Sequence, residues 1–383
     1  MEILQTPCRF HPDIGGVESY VRDVSKEMVR DGHDVTVICA RSSSALPRHS
    51  VVDGIHVERL WTVGKIADTN ITPRLPTALL KAARNADVIH THLPTPWSAD
   101  ISVLVGRLTN TPVVVTYHND IIGDGFDEYI AQVYNKTALR LLLHLTDRII
   151  VTQAGYISHS PHLQNFTDKI TVVHNGVDTT EFRPGEVSDG EKRRLGLDPN
   201  RVNLFFLSVL DEYHEYKGLE TLLRAIQDLD RRDGRTPKLL VGGDGPLRPK
   251  YESTAISFGI ADHVEFLGRL SQSALRRSYR GADLFVLPSN DADQEGFGLV
   301  VLESIASGTP VITTNVVAVA DHIDEFDIGA VVETKNHEML ADEIADAMSR
   351  LDSFEMEFAR ELCERTYSWN ASAEELLQIY SNL

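Results

Sequence analysis

The sequence lacks the features that mark secreted and membrane-spanning proteins. Its three cysteines are few and widely spaced, which indicates a reducing cytosol and gives neither a disulfide framework nor metal-ligand spacing. No apolar run is long enough to cross a bilayer. The N-terminus, with Glu2 and Pro7 around a short apolar run, does not resemble a signal peptide. We therefore expect a cytoplasmic protein, and a peripheral contact with the inner membrane face stays open.

Positive charge is also scarce, and lysine most of all. Lys and Arg total 37, of which 10 are Lys, against 56 Asp and Glu, so the formal net charge is −19. Nucleic-acid binding requires a basic surface that displaces counterions from phosphates, so we expect no nucleic-acid partner. An acidic excess is compatible with a salt-rich source and equally with ordinary solubility.

The chain is long enough for two domains, since 383 residues exceed what one hydrophobic core usually organises. Both halves alternate short apolar runs with longer amphipathic segments, which is typical of parallel βαβ units. The sequence therefore predicts an α/β fold of two doubly wound parallel-sheet domains facing across a cleft. The predicted organisation is an N-terminal domain, a linker, a C-terminal domain and a last helix that packs back on the first domain: 1–176, 177–200, 201–365 and 366–383.

Apolar runs give the strand positions. In the first half the predicted strands are Val35–Ile38, Val51–Leu60, Val88–His90, Val113–Thr116, Ile149–Thr152 and Ile170–Val173. In the second half they are Asn203–Val209, Lys238–Val241, Val264–Phe266, Leu284–Leu287 and Val311–Thr313. Helical periodicity covers Gly16–Arg30, and Gly32 stands just beyond it as a C-terminal cap.

Two loops in the first half carry candidate chemistry. Gly15 and Gly16 open the first helix, where free N–H groups and a positive dipole end suit an anion, although a tight turn explains the glycines equally well. His118 follows a β-branched strand, where an imidazole can donate a hydrogen bond to a sugar hydroxyl or steady developing charge, although a lone His is usually structural. His90 and His92 lie nearby, but no carboxylate or thiolate spacing supports a metal, and we expect none.

Two loops in the second half suit a diphosphate and a sugar. Lys217 opens a helix, although a solvated Lys at a helix start is common. After the strand ending at Leu287, the amides of Gly296, Phe297, Gly298 and Leu299 lead into a helix and form a phosphate seat. Glu295 precedes this seat, where its carboxylate can accept hydrogen bonds from sugar hydroxyls. Glu303 lies one helical turn beyond Leu299, within reach of a ribose diol.

The motifs together resemble those of retaining glycosyltransferases with the GT-B architecture, in particular their large fourth family, the group 1 glycosyltransferases. That family includes phosphatidylinositol mannosyltransferases and sucrose synthases. The resemblance spans nearly the whole chain. The matching segments, in order, are Gly15–Glu18, Tyr117–Asp120, His174–Asp178 with Phe182–Pro184, Gly242–Leu247, and Glu295–Glu303 followed by Ala306–Ile312.

The resemblance implies roles for these residues. A nucleotide-diphosphate sugar would be the donor substrate, with no cofactor and no metal. Its diphosphate would lie between Lys217 and the amides after Glu295. Glu303 would hold the ribose and Glu295 the transferred hexose, while His118 would face the sugar near its reacting carbon, where configuration is retained. Lys217 and helix dipoles would offset the charge of the leaving diphosphate.

One departure from the family pattern concerns a cation. Val209 stands where the family usually has an Arg on the diphosphate, and the loop from there to Lys217 is longer. We hypothesise that His214 or another cation replaces this Arg, or that the donor is held more weakly.

The acceptor is less well indicated. Apolar and basic residues suited to a sugar or a lipid-linked acceptor at a membrane surface lie in the first half: Trp61, Lys65, Arg74, Lys81 and Arg84. Much of this segment also fits ordinary helix core and solvated face. The resemblance extends to family members that build cell-surface polysaccharide or glycolipid. Two alternatives stay open, a sugar-nucleotide epimerase and a non-catalytic nucleotide-sugar-binding protein.

Overall fold

Two sheets of mainly parallel strands organise the chain. The structure is a computed structural model, and it describes residues 1–13, 15–66, 69–121, 126–233, 236–291, 295 and 297–383. Contacts divide the chain into two compact units, Met1–Asn175 with Trp369–Leu383, and Gly176–Ser368. The predicted α/β class with parallel sheets is confirmed.

The first unit is built on an eight-stranded sheet in the order β10-β9-β8-β7-β1-β2-β4-β3. Its strands are β1 Glu2–Thr6, β2 Asp34–Ala40, β3 His49–Val52, β4 Ile55–Leu60, β7 Val88–Leu93, β8 Val113–Tyr117, β9 Arg148–Val151 and β10 Ile170–Val172; a separate antiparallel pair comprises β5 Gly64–Ile66 and β6 Thr69–Ile71. All neighbouring strands of the large sheet are parallel except β3 and β4.

The prediction of one strand over Val51–Leu60 is wrong. The segment contains parts of two antiparallel strands joined by Asp53 and Gly54, which both have positive φ, 52° and 84°. An Asp-Gly pair between apolar runs favours this tight turn, because both central residues of a type I′ turn need positive φ. The signal was present in the sequence.

Both faces of this sheet are buried. Val113 and Val115 of β8 join one apolar cluster, and Val114 joins the other. Successive side chains of a strand point to opposite faces, so a strand covered on both sides becomes a continuous apolar run. The helices of this part of the unit are α1 Gly16–Arg30, α2 Leu75–Ala83, α3 Pro96–Thr109, α4 Phe126–Tyr134, α5 Arg140–Leu145 and α6 Gly155–His159. The prediction for α1 is confirmed, and Gly32 follows it with φ +85°.

The second unit is built on a six-stranded parallel sheet in the order β13-β12-β11-β14-β15-β16. Its strands are β11 Asn203–Leu207, β12 Lys238–Gly242, β13 Val264–Gly268, β14 Leu284–Leu287, β15 Val311–Thr314 and β16 Gly329–Val332. Its helices are α7 Asp189–Arg194, α8 Leu219–Asp233, α9 Arg248–Ser257, α10 Gln272–Gly281, α11 Leu299–Ala306, α12 Ala320–Glu325, α13 His337–Ser349 and α14 Met356–Thr366.

The last helix, α15 Trp369–Ser381, belongs to the first unit, where it packs on α1. Its buried side chains include Trp369, Leu376 and Tyr380. Every helix in the described part of the chain is too short or too polar to cross a membrane.

The strand order places a switch point in each sheet. β1 lies between β7 and β2, and β11 lies between β12 and β14, so successive connections leave these central strands in opposite directions. In doubly wound sheets the loops at the carboxyl ends of the strands diverge at such points and leave a crevice for ligands. The loops after β1, β7, β11 and β14 are therefore where a site is expected.

Candidate active site

The loop after β11 is held directly against the loop after β14. A short 3-10 helix, Glu212–Lys217, ends at Gly218, whose φ is +79°. A Cβ at this position would lie 2.0 Å from the carbonyl oxygen of Pro288, so the close approach requires glycine. This contact places Lys217 beside the residues that follow β14.

Lys217 and Glu295 form a buried ion pair at this point. The Lys217 Nζ lies 2.8 Å from both carboxylate oxygens of Glu295, and the Ser289 hydroxyl donates to Oε2 at 2.5 Å. Glu295 is 1% exposed and Lys217 15% exposed. Burying a carboxylate is costly unless it is paired and hydrogen-bonded, and these three contacts meet that requirement. The structure thus brings two predicted site residues into direct contact.

Tyr216 lies under the ion pair. The Lys217 Nζ is 5.0 Å from the centre of its ring. Burial, and then the charges of Glu295, Asp291 and Asp211, raise the pKa of the Tyr216 hydroxyl, so it stays protonated at neutral pH. The ring therefore supports the cation without adding a charge.

The helix after this loop begins where predicted. Gly298, with φ +73°, caps α11, and a Cβ there would lie 2.7 Å from Val317. Among the described residues no side chain caps α11. The first N–H groups of a helix have no intrahelical partner, although that of Val301 donates to the carbonyl of the capping Gly298 at 2.8 Å. Phe297 buries its ring against Tyr367, with centroids 5.9 Å apart, and Leu299 packs on the same core. Gly296 lies outside the described residues.

Glu303 lies farther along α11, and the Tyr279 hydroxyl donates to its Oε2 at 2.9 Å. Burial raises the pKa of Glu303 to about 7, against the smaller lowering effect of the Tyr279 hydrogen bond. The charge of this carboxyl group therefore changes near neutral pH. Sequence reasoning missed Tyr279, because its contact with Glu303 depends on packing between α10 and α11. It also missed Ser289, although its position two residues after β14 was a usable signal.

In the first unit, His118 joins two further histidines at the carboxyl ends of β7 and β8. His92 Nδ1 and His118 Nε2 lie 3.3 Å apart, and their rings are stacked with centroids 5.5 Å apart. His92 Nε2 lies 2.9 Å from Gln5 Oε1, on the central strand β1. His90 lies between the Tyr380 hydroxyl at 2.6 Å and the Thr116 hydroxyl at 2.7 Å.

These histidines are neutral at physiological pH. Burial lowers the pKa of His118 to about 4. Burial, followed by the charge of His118, lowers the pKa of His90 to about 3, and the pKa of His92 is also well below its usual value. No group of three or more His, Cys, Asp or Glu side chains in the described part of the chain is placed to hold a metal ion. The arrangement instead suits hydrogen bonding by neutral imidazoles.

The start of α1 lies near this cluster. The ring of Tyr20 meets that of His118 edge-on at 4.9 Å. The Glu18 carboxylate covers Gly15, since a Cβ there would lie 2.3 Å from Glu18 Oε2, whereas Gly16 faces open space. Glu18 also pairs with Arg9 at 3.2 Å. An acidic side chain in the first helical turn is stabilised by the helix dipole, so the chain's own carboxylate lies at the predicted anion seat.

The loop after β8 is fixed by Asp120. The Tyr117 hydroxyl donates to Asp120 Oδ1 at 2.6 Å, and the Ser160 hydroxyl donates to the same oxygen at 2.7 Å. Two hydrogen bonds to one carboxylate oxygen restrain the segment that carries His118.

Val209 and His214 lie in the loop after β11. Val209 is 49% exposed. His214 Nδ1 lies 2.6 Å from Asp211 Oδ1, and this hydrogen bond is the main cause of the lowered pKa of Asp211. His214 is thus engaged with a neighbouring carboxylate, and its proposed replacement of the missing Arg stays a hypothesis.

Comparison with known proteins gives consistent matches. Residues 189–369 match the family described as glycosyl transferases group 1, and residues 14–181 match glycosyltransferase family 4. D-rhamnosyltransferase WbpZ from Pseudomonas aeruginosa is 30% identical over 79% of this chain and 74% of its own. An uncharacterized glycosyltransferase, MJ1607, from Methanocaldococcus jannaschii is 25% identical over 99% of this chain and 98% of its own. The fold is similar to that of Anabaena Alr3699/HepE, solved with UDP, with a TM-score of 0.76, 17% identity and full coverage of both chains.

Proposed function

Since this chain belongs to the group 1 glycosyltransferases of family 4, we propose that it transfers a hexose-type sugar from a nucleotide-diphosphate donor to a sugar or lipid-linked acceptor, with retention of configuration. The observation that carries the proposal is the buried Lys217–Glu295 pair beside the uncapped start of α11. We further propose a role in cell-surface glycan or glycolipid synthesis, with no metal ion or cofactor.

The donor is proposed to bind by exchange of partners. A diphosphate carries more negative charge than one carboxylate, so the ammonium group of Lys217 moves from Glu295 to the phosphate oxygens. The first N–H groups of α11 bind the same anion, because the helix N-terminus carries a partial positive charge. Glu295, released from Lys217, then accepts hydrogen bonds from hydroxyls of the transferred sugar, while Ser289 continues to hold its Oε2.

The reaction places a growing negative charge on the departing diphosphate. The bond from the anomeric carbon to the diphosphate oxygen breaks, the acceptor oxygen bonds to that carbon, and the acceptor's proton leaves with the diphosphate. Lys217 and the α11 amides stabilise the charge of the departing group, which is the usual main contribution of a preorganised site. The Glu303 carboxylate accepts hydrogen bonds from the two ribose hydroxyls of the donor. His118, with its pKa lowered to about 4, acts on the sugar as a neutral hydrogen-bonding group and not as a cation.

The family match for this chain gives the general activity, and relatives support the finer points only by analogy. The Pseudomonas relative is named for transfer of D-rhamnose, a hexose derivative, and the Anabaena structure was solved with UDP. Both fit a nucleotide-diphosphate hexose as donor.

The test is a panel of nucleoside diphosphates and their sugars, first for binding and then for turnover. A true donor raises the melting temperature through binding linkage. With an acceptor extract present, the donor is consumed and NMR of the new linkage shows the same anomeric configuration as the donor. Conversion of donor without acceptor would instead indicate an epimerase, and binding without any conversion would indicate a binding protein.

A further inference from the structure

A pocket lined mainly by arginines lies at the carboxyl edge of the first sheet. Arg41 directly follows β2, and Trp61 directly follows β4, its neighbour in the sheet. The pocket has a volume of about 450 Å³ and is lined by Arg41, Arg48, Arg59, Leu60, Trp61 and Arg74. The sequence suggests Trp61 and Arg74 for an acceptor, and none of the lining residues belongs to the proposed donor site.

Arg59 is the buried residue of this pocket, with 3% of its surface exposed. Its guanidinium donates to the Ser50 hydroxyl at 2.7 Å and to the His11 carbonyl at 2.5 Å. Its Nε is buried without a hydrogen-bond partner, and it forms no ion pair with any residue that the structure describes. A buried charge without a counter-ion is costly, so an anion bound beside this guanidinium would offset that cost.

The other arginines add to this positive charge. Arg41 donates to the carbonyls of Leu46 and Ser44, both at 2.6 Å, and these are neutral acceptors. Arg74 is exposed at the start of α2. Within the described ranges only Arg48 of the four has a carboxylate partner, Glu58 at 3.0 Å. In a chain of net charge −19, this pocket is a local positive region that attracts anions.

The chemistry of the pocket points to a phosphate ester. The planar fork of Arg matches two phosphate oxygens at once and binds them with charge-assisted hydrogen bonds. The volume is in the range of small-molecule sites. Trp61, 64% exposed, and the neighbouring Leu60 offer apolar surface for a carbon skeleton. We propose that this pocket binds a phosphate ester of sugar size, with the phosphate on Arg41, Arg59 and Arg74 and the skeleton against Trp61.

The pocket is separate from the histidine cluster. In the sheet, β4 is four strand spacings from β8, the strand that precedes His118. At about 4.8 Å per spacing this is roughly 19 Å. A ligand of sugar size is shorter than this distance, so the phosphate ester bound here lies at a site separate from the reaction centre of the proposed transfer.

The fluorescence emission of Trp61 on ligand addition provides the test. The variant Trp61→Phe serves as the blank, because it shows any change in emission from the other tryptophans. Inorganic phosphate and glucose 1-phosphate are titrated into the full-length protein and into Arg74→Gln, Arg41→Gln and Arg84→Gln. Arg74 and Arg84 flank the two ends of α2 and are both exposed, but only Arg74 lines the pocket. We expect saturable binding that weakens about tenfold in the Arg74 and Arg41 variants, the loss expected for one charge-assisted partner, and is unchanged in Arg84→Gln.

The proposal is overturned if neither the two phosphate compounds nor the phosphatidic acid vesicles described below change the Trp61 emission, or if Arg74→Gln binds as tightly as Arg84→Gln. A Lys217→Met variant should bind phosphate in this pocket like the wild type, so failure of the donor site and failure of this pocket are distinguishable. Vesicles of phosphatidylcholine with and without phosphatidic acid identify the source of the phosphate. Binding only to the acidic vesicles, lost in Arg74→Gln, supports a lipid headgroup, and binding only to glucose 1-phosphate supports a soluble ester.

Discussion

Each unit has a cluster of polar side chains at the carboxyl edge of its sheet, and the two clusters differ in charge. In the second unit the side chains of Lys217 and Glu295 form a buried ion pair at 2.8 Å. In the first unit the clustered side chains are neutral, because burial lowers the pKa values of His90, His92 and His118. A charged site suits a leaving diphosphate, and a neutral one suits the orientation of hydroxyl groups. On the proposed function, these two tasks therefore fall to different units.

The largest expected effect comes from Glu295→Gln. The change keeps the size of the side chain but removes the charge that we propose accepts hydrogen bonds from the sugar hydroxyls. We expect the transfer rate to fall by about 10²–10³-fold, the range for loss of one preorganised electrostatic group, with nucleoside diphosphate affinity changed only a few-fold. Rates are measured from product formation with saturating donor. Full activity in Glu295→Gln would remove the carboxylate from the reaction.

The second effect concerns stability. Lys217→Met leaves the Glu295 carboxylate buried without its cation, which costs about 3 kcal/mol of unfolding free energy. The double variant with Glu295→Gln removes both charges and should recover most of that loss. The free energies of unfolding of the wild type, both single variants and the double variant are measured by urea unfolding followed by circular dichroism. If the two single changes are additive, the pair is not energetically coupled.

Acid should destabilise the histidine cluster. The folded pKa of His118, about 4, lies below the value near 6.5 of the unfolded chain. The unfolded state therefore binds the proton first, and stability is complete above pH 6.5 and falls as the pH is lowered toward 4. We expect His118→Gln to have a shallower loss of stability between pH 6.5 and 4, measured by urea unfolding at several pH values. An unchanged slope would show that His118 already carries charge in the folded protein.

Glu303 should respond to pH in the opposite direction. Its folded pKa of about 7 lies above the unfolded value of 4.5, so its contribution to stability is present below pH 4.5 and is lost as the pH rises through 7. Ionised Glu303 accepts from ribose better than the neutral acid, so donor affinity should increase a few-fold across pH 7. Calorimetric titration of the donor at pH 6 and pH 8 measures this change in affinity. In the control variant Glu303→Gln the affinity should be the same at both pH values. Tyr279→Phe removes the hydrogen bond that lowers this pKa, and should move the step to higher pH.

Much of the fold could be predicted from local patterns. β14 is predicted at its observed bounds, because Leu284–Leu287 is a fully buried apolar run between polar segments. β16, Gly329–Val332, was missed, since a run of two small residues and two valines carries little strand signal. The antiparallel turn at Asp53 was missed although its signal was present.

The candidate site was less predictable than the fold. The sequence indicates Lys217 and Glu295 separately, yet the direct contact between them joins residues 78 positions apart. No local periodicity encodes such a contact, because it depends on the close approach of Gly218 to Pro288. The same holds for the stacking of His92 on His118, which joins the ends of two neighbouring strands. Local sequence gives the groups, and tertiary packing sets their partners and charges.

The most direct test of the donor site is calorimetric titration of nucleoside diphosphates into the wild type, Lys217→Met and Lys238→Met. Lys238 is the matched control, since it pairs with Glu265 at 2.6 Å but begins β12, at the amino edge of the same sheet. We expect one diphosphate to bind the wild type and Lys238→Met equally, and to bind Lys217→Met at least tenfold more weakly. Equal affinity for all three proteins would contradict this expectation.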